Sequence, residues 1–286
     1  MQLFATTWFN PRLVSQLRCS RGDFARRGLQ FASVLMLGLF FIGFPSQSRA
    51  QDKALAIVLM SEELDAQGKL VPLAKHVRAI FNYLEKQTGL ELEIRRYPWK
   101  RALEMAINGE GIIFGISKTE EREKSLIFTS ALYTDSVYLV TRCDQTFKYQ
   151  QIRDLSGKVI GMVRGTSYGA EFDSQVGKLF KVEADTGSNA GRLRKLYQRR
   201  MDAFLMYSIQ TSQQLAQQIN QNYGAEFAVA GNKSVFCVLS NPVSQVGIHL
   251  AQAKNLPSDQ FLQLEAAIVK ARQQEENQRW LSLMRP

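Results

Sequence analysis

Past residue 50 the chain alternates short apolar runs with longer stretches in which apolar residues return every three or four positions. Ala54 to Met60 is apolar throughout and of strand length, the pattern of a strand buried on both faces. From Leu70 to Thr88 the apolar residues Leu73, Val77, Ile80, Phe81 and Leu84 fall at helical spacing, and Gly89 closes the helix. Leu92 and Ile94 alternate with charges, as in a half-buried strand. Pro98 then opens a helix striped by Trp99, Leu103, Ala106 and Ile107, with Gly109 as its stop. Ile112 to Ile116 is a third strand. Strand, helix, strand, helix, strand over 54–116 predicts a mostly parallel sheet with helices on its faces.

Tyr133 to Thr141 reads as a longer strand, with Val137, Leu139 and Thr141 on one face. After a polar stretch the pattern restarts. Asp154 to Lys158 turns into a strand at Val159–Val163, and a helix is expected from about Tyr168. Short strands follow at Phe180–Val182, Ala203–Met206, Phe227–Val229 and Val235–Leu239. Between them come a helix capped by Ser188-Asn189, carrying Leu193 and Leu196, and another over Ile209–Ile219. The C-terminal part reads as helical: Gln245–Lys254, Asp259–Arg272 and a last helix around Trp280.

The expected architecture is therefore α/β with two lobes, each a mostly parallel sheet flanked by helices. Lobe 1 takes 51–140 plus 240–286, and lobe 2 takes 141–239. Tyr138–Cys143 leaves the first lobe and Phe236–Ser240 returns, as two hinge strands. In an antiparallel pair the end of the outgoing strand lies beside the start of the returning one, which brings Cys143 near Cys237. A disulfide or two buried thiols both satisfy that placement.

The first fifty residues change the picture of compartment and charge. Arg12, Arg18, Arg21, Arg26 and Arg27 precede an uncharged apolar run from Phe31 to Phe44, Pro45 breaks it, and Ser48-Arg49-Ala50 offers small residues for cleavage. The run is short of the ~20 residues of a membrane-spanning helix. The pattern is that of a secretory signal peptide over 1–50, with an uncleaved anchor as the alternative. Export through it puts the protein in the periplasm. Of the 36 Lys+Arg and 26 Asp+Glu, residues 1–50 hold six Arg and one Asp, leaving 30 basic and 25 acidic residues beyond them, a net +5. That balance is interspersed. Clusters such as Arg192-Arg194-Lys195 read as a solvated helix face, and nucleic acid is not an expected partner.

Candidate chemistry concentrates in two loops. Gly115-Ile116-Ser117-Lys118-Thr119-Glu120-Glu121-Arg122 follows a buried strand, and Gly165-Thr166-Ser167 follows another. Hydroxyls, free backbone N–H groups and a guanidinium are what a protein needs to hold a carboxylate or similar anion. Ser117 and Thr119 equally suit capping of the helix that carries Arg122, and Arg122 equally suits a surface pair with Glu121 or Glu123. His76 and His249 sit in no nucleophile motif, and no His/Cys/Asp cluster has metal spacing. No cofactor, metal or catalytic residue is expected.

Taken in order, several segments resemble the periplasmic solute-binding proteins of ABC importers, family 3, with the type II periplasmic binding fold. They are Tyr97-Pro98-Trp99-Lys100-Arg101-Ala102-Leu103, Gly115 to Arg122, Phe128-Thr129-Ser130 with Tyr133, Asp154 to Lys158 with Gly161, Gly165-Thr166-Ser167, and Arg200-Met201-Asp202-Ala203. The resemblance implies that Arg122 forms a bidentate pair with a ligand carboxylate, helped by Ser117 and Thr119. Thr166 and Ser167 would close on the same group from the second lobe at a helix start, and Trp99 would pack on the ligand's apolar part. It implies a monomer that clamps an amino acid or other small carboxylate and presents it to a membrane permease.

Two positions depart from the family. Its amino-acid binders carry an acidic residue just past the strand after Asp-Ala, to hold the ligand ammonium. Tyr207 stands there, and a phenol does not neutralise an ammonium at neutral pH. The usual aromatic after the first strand is replaced by Ser61-Glu62-Glu63, where Glu62 or Glu63 either restores the negative charge or belongs to a solvated loop. The alternatives in other classes are a ligand sensor signalling through a membrane partner and a small-molecule lyase or dehydratase.

Overall fold

The structure, a computed structural model, describes residues 54–273 apart from 66, 186–187 and 228–233. The expected signal peptide, most of the strand at Phe227–Val229 and the helix around Trp280 lie outside those residues. Among the described residues no helix is long and apolar enough to cross a membrane.

The first half follows the hydrophobic pattern closely. Strand β1 (Leu55–Ser61) leads to helix α1 (Lys75–Thr88), β2 (Glu91–Tyr97), α2 (Trp99–Ile107), β3 (Ile112–Ile116), a single-turn α3 (Glu120–Glu123), β4 (Leu126–Phe128) and β5 (Tyr133–Arg142). Gly89 ends α1 in the left-handed region at φ 73°, and its N–H bonds the Glu85 carbonyl. Then come β6 (Val159–Val163), α4 (Ala170–Gln175), β7 (Lys181–Asp185), α5 (Asn189–Tyr197), β8 (Ala203–Ser208), α6 (Ser212–Phe227), β9 (Phe236–Val238), β10 (Ser244–Ala253) and α7 (Asp259–Gln273). Ser188 caps α5, accepting from the Gly191 N–H as its position suggests.

The strands pair in the order β2-β1-β3-β10-β5-β8-β6-β7, with β4 beside β10 and β9 beside β5. β1 is parallel to β2 and β3, and β6 is parallel to β7 and β8. The pairings of β5 and β10 are antiparallel. Period-two alternation sends successive residues to opposite faces. Val58 and Phe114 join Ile80, Phe81, Leu84, Leu264 and Ile268 on one face, and Leu59 and Ile113 join Ala102 and Leu126 on the other. The second half repeats the arrangement. Val137, Leu139, Ile160 and Leu205 pack on Phe172 and Phe180, while Tyr138, Val140 and Phe204 pack on Leu193, Leu196 and Ile219. Each fully buried Leu, Ile, Val or Phe contributes roughly 1.5–3 kcal/mol.

One predicted element is overturned. Gln245–Lys254 is not a helix; Ser244–Ala253 is β10, paired with β3 on one side and with β5 and then β4 along the other. Its Gln and Ala content suits a helix, but Val246, Ile248 and Leu250 recur with period two, and central pairing decides for the strand. The strands that pass between the two sets of cores are therefore β5 and β10. Phe236–Val238 pairs with β5 beside the second cores, and Phe236 is buried there. Cys143 and Cys237 form a disulfide with Cα atoms 5.0 Å apart, closing a span of 94 residues that contains β6 to α6.

Candidate ligand-binding site

A cavity of about 250 Å³ lies where the two halves of the sheet meet. The first half contributes Met60 and Ser61 from the end of β1, Trp99 from the start of α2, and Phe114, Gly115, Ser117 and Arg122 around the β3–α3 loop. The second contributes Val163, Thr166 and Tyr168 after β6, Asn189 and Arg192 of α5, and Leu205 to Tyr207 of β8. The crossing strands supply Tyr133, Asp135 and Ile248.

The β3 end turns toward the cavity through its backbone. Gly115 has φ 85°, a conformation open to glycine at little cost, and the ladder with β10 shifts register between His249 and Leu250. The break moves Ile116 onto the face occupied by Ile113 and carries Ser117 into the wall beside Arg122. Ser117 is 6% exposed and Arg122 is 9% exposed.

Arg122 donates from one terminal nitrogen to the Ser117 carbonyl at 2.7 Å and the Ser117 hydroxyl at 2.9 Å, and from the other to the Gly165 carbonyl at 3.1 Å. Trp99 Nε1–H donates to the same carbonyl at 3.0 Å, and the Arg122 guanidinium lies 5.8 Å from the Trp99 ring centroid. Gly165, at φ 78°, turns the loop that presents this oxygen. Burial lowers the Arg122 pKa, opposed by the Tyr207 phenol and by Asp173 and Glu121; a guanidinium stays charged regardless.

A wall of phenols faces Arg122. Tyr207 O–H donates to the Ser167 carbonyl and its ring stacks on Tyr168 at 5.4 Å between centroids. Tyr168 accepts from the Val163 N–H at 2.9 Å. Burial raises the pKa of Tyr133 and Tyr207 well above the usual phenol value and raises that of Tyr168. Asp135 is 8% exposed, and burial raises its carboxyl to about 7.

A second contact joins the two sides. Glu63 Oε1 accepts from the Asn189 N–H at the first residue of α5, at 3.0 Å. Burial raises the Glu63 pKa, opposed by that N–H and by Arg192 and Arg96. Arg192 is 5% exposed, lies 3.7 Å from Asp185 and donates to Asn189 Oδ1 at 2.5 Å. The cluster Arg192-Arg194-Lys195 is thus not a uniformly solvated face: Arg192 turns inward, while Arg194 pairs with Glu226 and Lys195 with Glu183 and Asp185.

Of the residues expected at a ligand site, Arg122, Ser117, Thr166, Trp99 and Tyr207 line this cavity, and Thr119, Ser167 and Glu62 do not. Thr119 caps α3 by accepting from the Arg122 N–H at 3.2 Å. The Ser167 hydroxyl donates to Asp173. Glu62 follows β1 and extends its pairing, N–H to the Tyr97 carbonyl at 2.8 Å. The helix expected near Tyr168 begins at Ala170 and lasts six residues, so Thr166 and Ser167 precede it rather than form its first turn. Asp135, Tyr133, Tyr168, Asn189 and Arg192 were not anticipated. Asp135 had a signal: a charge at the same strand parity as Val137 and Leu139. Among the described residues no three His, Cys, Asp or Glu side chains are grouped to hold a metal ion.

Residues 76–276 match the pattern of the bacterial extracellular solute-binding proteins, family 3. Over 81 residues, 28% of this chain, the sequence is 32% identical to the ABC transporter arginine-binding protein 1 of Escherichia coli (strain K12). The matched stretch spans 32% of that protein's length. The fold superposes on the substrate-binding protein of an amino acid ABC transporter with TM-score 0.60 at 18% identity, covering 81% of this chain and 99% of the other. It superposes on an ancestral arginine-binding protein bound to arginine with TM-score 0.63 at 16% identity, covering 82% and 99%. For holo ArgBP from T. maritima the values are 0.60, 18%, 80% and 96%. At such identities the superpositions establish the type II periplasmic binding fold.

Proposed function

The chain belongs to the bacterial extracellular solute-binding proteins of family 3, and from that premise we propose that it clamps a small carboxylate-bearing solute between its lobes and presents it to an ABC permease. Arg122 carries this reading. It is a buried guanidinium whose hydrogen-bond acceptors among the described residues are all neutral: two carbonyls and a hydroxyl. Three of its five N–H donors are used, which leaves two for a ligand. A carboxylate accepts such donors in pairs, and the charge-assisted bonds are about twice as strong as neutral ones. Trp99 beside it offers flat apolar area at small entropic cost.

The lobes meet at β5 and β10. Tyr133 packs with the first core and Val137 with the second, while Val246 packs with the second and Leu250 with the first. We place the hinge at Asp135–Val137 and Val246–Leu250. This shortens lobe 1 by about three to five residues at the 140 boundary and about six to ten at the 240 boundary. Rotation there breaks the Trp99 and Arg122 bonds to Gly165 and the Glu63 bond to Asn189, which opens the cavity to solute. The protein works by binding, as a periplasmic monomer with one solute per chain, and uses no cofactor.

The test is calorimetric titration and thermal shift of residues 51–286 against amino acids and simple carboxylates. Binding raises the melting temperature by mass action. Arg122→Ala is expected to abolish the response. A carboxylate ligand bound equally by that variant overturns the reading.

A further inference from the structure

Among the described residues Asp135 is the one carboxylate lining the cavity, and its surroundings are unusual for a charged group. It stands on β5 with its side chain on the same face as Tyr133, Val137 and Leu139. Across the ladders that face is continued by Val246 and Ile248 of β10 and by Tyr207 of β8. These neighbours are apolar or phenolic. No ion pair or side-chain hydrogen bond joins Asp135 to another described residue. Burying a carboxylate without a partner is expensive, yet this one opens onto a cavity whose other charged lining residues are Arg122 and Arg192.

We propose that Asp135 is the cation-binding group of the site, so that the solute carries a protonated amine or guanidinium opposite the carboxylate held at Arg122. The inference rests on the Arg122 reading for the second charge but stands on a separate residue. Tyr207 of β8 lines the same cavity as both residues, and the charges of Arg122 and Asp135 both act on its phenol. Arg122 and Asp135 line one cavity of about 250 Å³, room for a zwitterion of amino-acid size.

The titratable groups around Asp135 supply no substitute for the ligand cation. Tyr133 on the same strand stays neutral, its pKa raised by burial and by Asp135. Tyr207 of β8 stays neutral for the same reason. His76 of α1 stacks edge-on against Tyr133 with centroids 5.6 Å apart, and burial lowers its pKa, which favours the neutral ring. Lys75 of α1 borders an adjoining hollow that also touches Asp135, but makes no ion pair with it. β10 contributes Val246 and Ile248, which do not titrate.

A ligand cation therefore binds an aspartate that burial keeps largely protonated below neutral pH, and binding must expel that proton. At pH 6 close to one proton is expected to leave per amine-bearing ligand bound; at pH 8.5 close to none. The experiment is isothermal titration of the purified protein with the twenty standard L-amino acids, succinate as an anion-only probe and putrescine as a cation-only probe. The tightest binder is then re-titrated at both pH values in buffers of different ionisation enthalpy. In the isosteric Asp135→Asn variant, amino-acid affinity is expected to fall about a hundredfold or more and proton release to vanish, with an unchanged circular dichroism spectrum.

Amino-acid binding that survives Asp135→Asn within about threefold overturns the proposal. So does tight binding of succinate with none of any amine, an outcome that leaves the Arg122 reading standing. Putrescine binding lost in Asp135→Asn and kept in Arg122→Ala supports the proposal. Binding of no probe overturns both.

Discussion

If Asp135 is held without a partner in the ligand-free protein, removing its charge must stabilise that protein, and the gain must depend on pH in a set direction. Its folded pKa, about 7, lies above the ordinary value of 3.8. A group raised in this way leaves the native state holding more protons than the unfolded chain between those values, so stability falls as pH rises through the window. Each tenfold loss of acidity on folding costs the ionised form ~1.4 kcal/mol, so the full cost above pH 8 is about 4 kcal/mol. Roughly 2 kcal/mol of it is already present at pH 5, leaving roughly 2–3 kcal/mol to be lost between pH 5 and pH 8. Asp135→Asn keeps the shape and cannot ionise. Urea unfolding of the ligand-free protein should show the variant more stable than wild type at both pH values, with the gap widening by roughly 2–3 kcal/mol from pH 5 to pH 8. With an m-value near 2–3 kcal/mol/M this is about 1 M in midpoint. A gap that stays constant within about 0.5 kcal/mol, or a variant less stable than wild type at pH 8, refutes the claim that Asp135 is a buried, unpaired carboxylate. Ligand should narrow the gap, because wild type binds it about a hundredfold more tightly and gains more stability from it.

Three further outcomes are expected. Arg122→Lys keeps a charge but loses the planar fork and the bridge to Gly165; calorimetry should show ligand affinity down about a hundredfold, near 2.7 kcal/mol. Glu63→Gln weakens the acceptor at the start of α5, so affinity should fall by about 3- to 10-fold for every ligand alike, with selectivity unchanged and a larger radius of gyration in the ligand-bound state by small-angle scattering. Reducing Cys143–Cys237 frees a 94-residue span and should lower unfolding stability by up to about 4.7 kcal/mol, read as a drop in urea midpoint on adding dithiothreitol; no change would mean the second lobe holds itself without the bridge.

The parts of this molecule that are legible in its sequence are those where local pattern and tertiary environment agree. β1, α1, α2 and β3 follow from apolar spacing and from Pro98 and Gly89, because each element packs the face its own period selects. Arg122, Ser117, Trp99, Thr166 and Tyr207 stand out by residue type and order, and they meet in one cavity. β10 does not show itself because its composition favours helix, and pairing with three strands on its two sides is a long-range fact that no window of ten residues contains.

Asp135 escapes a sequence reading for a subtler reason, and it shows how such groups can be found. Glu62 is the more conspicuous acid, because a loop after the first strand is where a binding charge is expected. Yet Glu62 continues the β1–β2 pairing and does not reach the cavity. Asp135 sits inside a strand, at the parity of Val137 and Leu139, where an alternating pattern demands an apolar side chain. A charge that breaks a pattern its neighbours obey carries a desolvation cost with no local return. In this chain the return has to come from outside the protein, at the point where β5 passes from one lobe to the other and the cavity opens beside it.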